Sequence, residues 1–269
     1  MTQFAFVFPG QGSQAIAMLD GFAGNPVVAQ TVAEASDALQ FDLGKLITEG
    51  PKEELDLTTN TQPVMLTAAV AFYRAWLAAG GPVPNVVAGH SLGEYSALVA
   101  AGVISFNDAV PLVRFRAQAM QEAVPVGQGT MAVVLGLSDD DVRAACAEAT
   151  SENPALVVEP VNFNAPAQVV IAGHTAAVER ACELAKAKGA KRAMKLPVSA
   201  PFHSSLLKPA SDRLREYMAG LTFAAPQIAL INNVDVAIVN DVAGIKDALV
   251  RQAASPVRWV ETMQKVAAD

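Results

Sequence analysis

The chain has 269 residues, enough for one large domain or two unequal ones with a sizeable core. Apolar residues make up 52% and charged residues 17%, which excludes disorder and fits an α/β protein with many buried elements. A net charge of −7 argues against nucleic acid as a partner.

The first strand, Gln3 to Phe8, runs into Pro9-Gly10-Gln11-Gly12-Ser13-Gln14. It begins too early for a basic segment and an apolar signal core to precede it, so a cytoplasmic place is expected. Helices are predicted over 26–40 and 63–79. The apolar stretch from Val64 to Ala79 is interrupted by Thr67, Tyr73 and Arg74, and is too short for a comfortable bilayer span. Next comes a short apolar run, Val83 to Ala88, then Gly89-His90-Ser91-Leu92-Gly93, then a helix from Glu94 that Gly102 closes. Another helix is predicted from Phe106 to about Ala123. Strands alternating with helices imply a mostly parallel sheet covered on both faces.

The middle of the chain has a different rhythm. Thr130–Gly136 reads as a strand, and Ser138 can cap a helix over 139–149 whose first turn holds three aspartates. Strands over 156–163 and 168–172, a helix over 175–188 stopped by Gly189, and a strand over 191–198 complete β-α-β-β-α-β, the ferredoxin-like order. The α/β pattern resumes with a helix over 204–218, strands near 228–231 and 236–239, and helices over 243–253 and 257–267. Cys146 and Cys182 sit in alanine-rich helical stretches without C-x-x-C spacing and read as reduced, structural thiols. Three scattered histidines and no H-E-x-x-H pattern disfavour a metal site.

Gly89-His90-Ser91-Leu92-Gly93 is a G-x-S-x-G pentapeptide between a strand and a helix. Such a tight turn pushes the serine out of the sheet, the glycines relieve crowding, and the new helix aims backbone N–H groups at the hydroxyl. A serine hydroxyl needs a base. His90, adjacent to Ser91 at the strand end, should point to the opposite face. His174 starts a helix in the middle region, where an exposed capping role is simplest. His203, in the loop Ser199-Ala200-Pro201-Phe202-His203-Ser204-Ser205, remains as the candidate base. An orienting third group is open: a carboxylate or a backbone carbonyl would serve. The oxyanion donors are expected at the Leu92 N–H and in the Gly10-Gln11-Gly12 loop.

Taken together, Phe8-Pro9-Gly10-Gln11-Gly12-Ser13-Gln14, Gly89-His90-Ser91-Leu92-Gly93-Glu94, the Arg116 helix and His203 resemble the malonyl-CoA:acyl carrier protein transacylase family. Asn162-Phe163-Asn164, the run Gln168 to Gly173, Asn232-Asn233-Val234, Gln252 and Pro256-Val257 match in order along the whole chain. The resemblance implies an α/β-hydrolase-like parallel-sheet core over 1–127 and 198–269, with the ferredoxin-like insert over 128–197. It implies malonyl transfer from malonyl-CoA to the phosphopantetheine thiol of an acyl carrier protein, in fatty acid biosynthesis, by a monomer needing no cofactor or metal. Ser91 would carry the acyl ester and His203 would act as base and acid. Gln11 and Leu92 would give the oxyanion N–H groups. Arg116 would pair with the malonyl carboxylate, and the backbone carbonyl near Gln252 would orient His203.

Two departures accompany the resemblance. Ala167 stands where the family usually has glycine, a change expected to be tolerated. The family also continues past Asp269 into a strand and a Gly-Pro-Gly-Lys segment, so the C-terminal end is expected to be truncated. The rival readings are a serine esterase or thioesterase, which would not need Arg116 beside Ser91, and a non-catalytic docking subunit, whose Ser91 would take up no acyl group. Finally, Lys186, Lys188, Lys191, Arg192 and Lys195 cluster around Gly189 in an otherwise acidic chain. Lys188, Lys191 and Arg192 are expected to lie at the docking surface for an acidic carrier protein.

Overall fold

Three short strands run parallel in the first sheet: β1 (Ala5–Phe8), β2 (Val86–Gly89) and β7 (Ala229–Ile231), in the order β1-β2-β7. Ala5 lies opposite Val86, and Val86 opposite Ala229. The computed structural model describes residues 3–198 and 200–268; Ser199, at the start of the His203 loop, and Asp269 lie outside the described residues. The chain forms two compact units. The first runs to Gln118 and includes Tyr217–Asn232 and Ala237–Ile245; the second comprises Ala119–Glu216, Asn233–Val236 and the residues from Lys246 onward.

Before β2 come α1 (Pro26–Leu39), α2 (Leu43–Glu49), α3 (Lys52–Leu55) and α4 (Thr58–Ala78); α5 (Gly93–Ala100) and α6 (Phe106–Glu122) follow it. The Asn25 side chain caps α1 by accepting from the N–H groups of Val27 and Val28, with Pro26 at the first helical position. α4 begins five residues before the expected start at Pro63. The run Thr58-Thr59-Asn60-Thr61-Gln62 reads as a polar loop, but Asn60 and Thr61 donate back to the carbonyls of Glu54 and Leu55, at 2.9 and 2.6 Å. Those bonds fix the entry to the helix, and Pro63 is accommodated inside it.

The second sheet is antiparallel. Its strands are β3 (Gly129–Leu135), β4 (Val158–Ala165), β5 (Gln168–His174) and β6 (Arg192–Lys195), in the order β4-β5-β3-β6. The helices α7 (Asp139–Glu152) and α8 (Thr175–Ala187) complete β-α-β-β-α-β, and the four-stranded order is that of a ferredoxin-like fold. Its core packs Val134, Val142 and Cys146 with Ile171, Val178 and Cys182. As expected, Ser138 caps α7, accepting from the Asp141 N–H. The β4–β5 hairpin turns on Pro166-Ala167, with Ala167 at φ +60°. Proline followed by a left-handed residue is the φ pattern of a type II turn, which explains why a glycine suits this position.

The remaining helices are α9 (Lys208–Ala219), α10 (Val242–Gln252) and α11 (Trp259–Ala268); α9 follows a 3-10 turn over Ser205–Leu207. The strand expected over 236–239 does not form, and an isolated bridge between Ile231 and Ile238 stands in its place. Val236 lies at φ +54°, outside extended backbone, and Arg251 grips Asp235 with two hydrogen bonds of 2.8 Å. Among the described residues, no helix is long and apolar enough to cross a membrane.

Candidate active site

Ser91 occupies the sharp turn from β2 to α5 with φ at +50°, a left-handed backbone that L-residues seldom adopt. The turn is closed locally: the N–H groups of Gly93, Glu94 and Tyr95 donate to the carbonyls of His90, Ser91 and Leu92, at 2.8, 3.1 and 2.9 Å. The flanking glycines are steric requirements. A Cβ on Gly89 would collide with the Gly93 backbone, and one on Gly93 with the Phe8 carbonyl oxygen. Among the described residues, the backbone N–H groups of Leu92 and Gln11 are engaged by no hydrogen bond.

The Gly10–Gln14 loop lies against this elbow, since a Cβ on Gly10 would sit 2.6 Å from the His90 carbonyl oxygen. Side chains tie the loop down. Gln11 donates to Thr58 Oγ1 at 3.2 Å, Gly12 N–H to Gln14 Oε1 at 2.8 Å, and Gln14 to Asp56 at 3.0 Å. Lys52 and Gln14 together hold the Asp56 carboxyl below the usual carboxylate range.

Arg116 projects from α6 and is 1% exposed. Its Nη1 donates to Gln62 Oε1 at 2.8 Å and its Nη2 to Ser91 Oγ at 3.1 Å, while the guanidinium carbon lies 5.2 Å from the Tyr95 ring centre. Burial lowers the pKa of the guanidinium, opposed by the charges of Tyr95 and Glu94, and burial pushes the Tyr95 phenol up to about 12. Arg114, two residues away, lies over the Phe41 ring instead, at 5.3 Å.

In the second unit, His203 is 4% exposed and also has a left-handed backbone, at φ +66°. Its Nδ1 lies 2.9 Å from the main-chain oxygen of Gln252. A carbonyl can only accept, so the contact places the proton on Nδ1 and makes Nε2 the ring nitrogen that carries the lone pair. Gln252 is the last residue of α10, where helix carbonyls lack an intrahelical donor and can serve an outside group. The loop is pinned further by Ser204 Oγ donating to the Pro201 carbonyl and by Ser205 N–H donating to Glu159 Oε2, both at 2.7 Å. Arg143, Glu159, Pro160, Ala254 and Pro256 line a cleft with His203.

Ser91 and Arg116 are thus brought into contact within one unit, and His203 and the Gln252 carbonyl within the other. His174 departs from the expected capping role. Its side chain caps nothing; Nδ1 accepts the Val157 N–H at 2.9 Å, because the ring turns back across the β4 end of the sheet. In the basic cluster, Lys188 pairs with Glu148 at 3.1 Å and Lys195 with Glu179 at 2.7 Å, whereas Lys191 and Arg192 are exposed. Sequence reasoning missed Gln62, whose only signal is a polar residue ahead of a long apolar helix. Among the described residues, no cluster of three or more His, Cys, Asp or Glu could hold a metal ion.

A nucleophile elbow on a parallel sheet, with a buried arginine on its hydroxyl, defines a serine acyl-transfer class of site. The acyl transferase domain model matches residues 5–269, and the chain belongs to that family. It is 56% identical over 270 residues to the malonyl CoA-acyl carrier protein transacylase of Salmonella typhimurium, covering all of this chain and 86% of that protein. The crystal structure of an acyl-carrier-protein S-malonyltransferase from Burkholderia pseudomallei superimposes with a TM-score of 0.97 at 70% identity, over 99% of this chain and 86% of that one. A malonyl-transacylase solved in complex with a type II PKS acyl-carrier protein matches with a TM-score of 0.96 at 52% identity, over 99% and 86% of the two chains.

Proposed function

We propose that this chain moves a malonyl group from malonyl-CoA to the phosphopantetheine thiol of an acyl carrier protein, through a malonyl ester on Ser91, in fatty acid biosynthesis. Ser91 Oγ attacks the thioester carbonyl, with His203 Nε2 as the base that takes its proton. The N–H groups of Leu92 and Gln11 stabilise the oxyanion, and the Gln252 carbonyl steadies the imidazolium that forms. Collapse of the tetrahedral intermediate expels the CoA thiolate, which takes up the proton that His203 holds. In the second half-reaction the carrier thiol loses its proton to His203 and attacks the ester, and Ser91 Oγ leaves and is reprotonated. The relatives named above carry the same activity in their names. The acyl chemistry asks for no cofactor of its own.

One observation carries the choice of acyl group: a fully buried guanidinium in hydrogen-bond contact with the nucleophile, 3.1 Å from Ser91 Oγ. An uncharged ester gives no reason to bury a cation there, whereas a malonyl carboxylate does, through a bidentate pair. Replacement of Arg116 by alanine tests it. Malonyl loading from malonyl-CoA should fall by tens- to thousands-fold, the effect of losing about 2–5 kcal/mol of buried charge pairing, while acetyl loading is kept or gained. Equal losses with both thioesters would refute the assignment.

The docking surface is proposed at Lys191 and Arg192, with Lys188 beside them. It is supported by their exposure and by the excess of positive charge in a chain of net charge −7. A cytoplasmic place is part of the same proposal, supported by two buried cysteines that form no disulfide.

A further inference from the structure

The Gly10–Gln14 loop belongs to no helix or strand, yet it carries one of the two N–H groups proposed for the oxyanion. Its side-chain ties lead to one place, the corner where α3 ends and α4 begins. Thr58, the first residue of α4, accepts from Gln11 Nε2 at 3.2 Å. Asp56, just past the end of α3, accepts from Gln14 Nε2 at 3.0 Å through Oδ1, and its Oδ2 receives Lys52 Nζ at 2.6 Å.

The second tie reaches the backbone. A glutamine amide has one donating end and one accepting end. With its nitrogen on Asp56, the Gln14 amide turns its oxygen to the Gly12 N–H, which it accepts at 2.8 Å. That N–H belongs to the peptide that follows Gln11. On the other side, Gly10 packs so close to the elbow that a Cβ there would sit 2.6 Å from the His90 carbonyl oxygen. Gln11 is therefore held at three points: by its side chain, by the peptide after it and by the residue before it. The loop needs such ties, because its glycines give the free chain a wide choice of backbone conformation. Gly12 lies at φ +106°, with nothing within 4 Å of the position a Cβ would take, so hydrogen bonds rather than packing must hold it.

We propose that Thr58 and Asp56 are positioning residues for the oxyanion hole: from the α3–α4 corner they fix Gln11, Thr58 directly and Asp56 through Gln14, so that the Gln11 N–H meets the thioester oxygen as charge develops on it. The inference rests on the acyl-transfer reading of the Ser91 elbow and adds two residues that act through the loop alone. Because the oxyanion forms only in the transition state, the corner governs the rate of acylation and not the affinity for the thioester. It is also blind to the acyl group, unlike Arg116.

The test is rapid-quench loading of Ser91 across thioester concentration, with malonyl-CoA and with acetyl-CoA, on protein whose fold is verified by thermal melts. Thr58→Val keeps the shape and removes the acceptor, whereas Thr58→Ser keeps the hydroxyl. Asp56→Ala removes the acceptor for Gln14, whereas Asp56→Asn keeps an oxygen for it and loses only an exposed ion pair of little worth. The maximum loading rate should fall about ten-fold in Thr58→Val and about three-fold in Asp56→Ala, less than the loss of an oxyanion donor outright. Both thioesters should lose equally, the half-saturating concentration should stay within about two-fold, and Thr58→Ser and Asp56→Asn should load near the wild-type rate. An unchanged maximum rate in Thr58→Val and Asp56→Ala, a change confined to the half-saturating concentration, or conservative variants as slow as the disruptive ones would overturn the proposal. A wild-type protein that takes up no acyl group would instead remove the acyl-transfer reading, and this inference with it.

Discussion

Ser91 and His203 are both non-glycine residues in left-handed backbone, at φ +50° and +66°, yet the two units hold them differently. The Ser91 turn is closed within a few residues, by three hydrogen bonds along the chain and by the close approach of Gly89 to the Gly93 backbone, with the Phe8 carbonyl beside it. His203 is held from far away in sequence: its acceptor on Gln252 is 49 residues distant, and the Glu159 carboxylate that anchors Ser205 is 46 distant. Strained backbone of this kind costs on the order of 1–3 kcal/mol per residue and persists where surrounding structure over-determines it. One unit supplies that constraint locally, the other through tertiary contacts. A local motif therefore reveals the nucleophile, while the base must be found by elimination.

The comparison breaks most severely if either side chain is removed. Ser91→Ala should abolish the covalent acyl intermediate, and His203→Ala should slow its formation by about a hundred-fold or more. The double variant should cost little beyond the worse single change, because groups that act as a unit are non-additive. His174→Ala should be nearly silent in stopped-flow acylation, since that ring serves only a backbone N–H. A large defect there, or additive losses for Ser91 and His203, would mean the wrong histidine has been assigned.

A smaller effect separates the half-reactions. Reversing Lys191 and Arg192 to glutamate should slow transfer to the carrier protein by about ten-fold at low salt and flatten its salt dependence, because electrostatic steering acts on association. Loading of Ser91 from malonyl-CoA should change much less. Carrier kinetics that do not respond, measured across ionic strength, would make these residues a solvated face with no part in docking.

The smallest effect contrasts the buried acids of the two units. Burial pushes the Cys146 thiol up to about 12 from an ordinary value of 9.0, raises Cys182 as well, and pushes Tyr95 up to about 12. Between those values the unfolded chain releases protons that the native state keeps, so stability falls as pH rises. For Cys146 the loss begins near pH 9 and should reach about 1.4 kcal/mol at pH 10, the worth of one pKa unit. Urea unfolding at pH 8 and pH 10 checks it, with Cys146→Ala expected to show a shallower fall. An identical pH dependence in that variant would contradict the buried-thiol assignment.

Much of this was legible before the structure, for physical reasons that differ by element. The β-α-β-β-α-β order showed because each element carries its own period, cap or glycine stop, as Ser138 and Gly189 do. The start of α4 was hidden because Thr58–Gln62 is polar in composition, and only bonds to the preceding carbonyls make it helical. Residue-level reading left the partner of His203 undecided between a carboxylate and a main-chain carbonyl. Every residue has such a carbonyl, so only the family resemblance pointed towards Gln252. Gln62 was invisible because a neutral amide carries no charge pattern, and its role exists only once Arg116 is buried beside it.

The most direct measurement is the intact mass of the protein after mixing with malonyl-CoA, followed by peptide mapping and by addition of a phosphopantetheinylated carrier protein. One malonyl group per chain should appear on Ser91, be absent in Ser91→Ala, and disappear as the carrier becomes malonylated. No adduct, an adduct on another residue, or release to water instead of to the carrier thiol would contradict acyl transfer through the elbow serine.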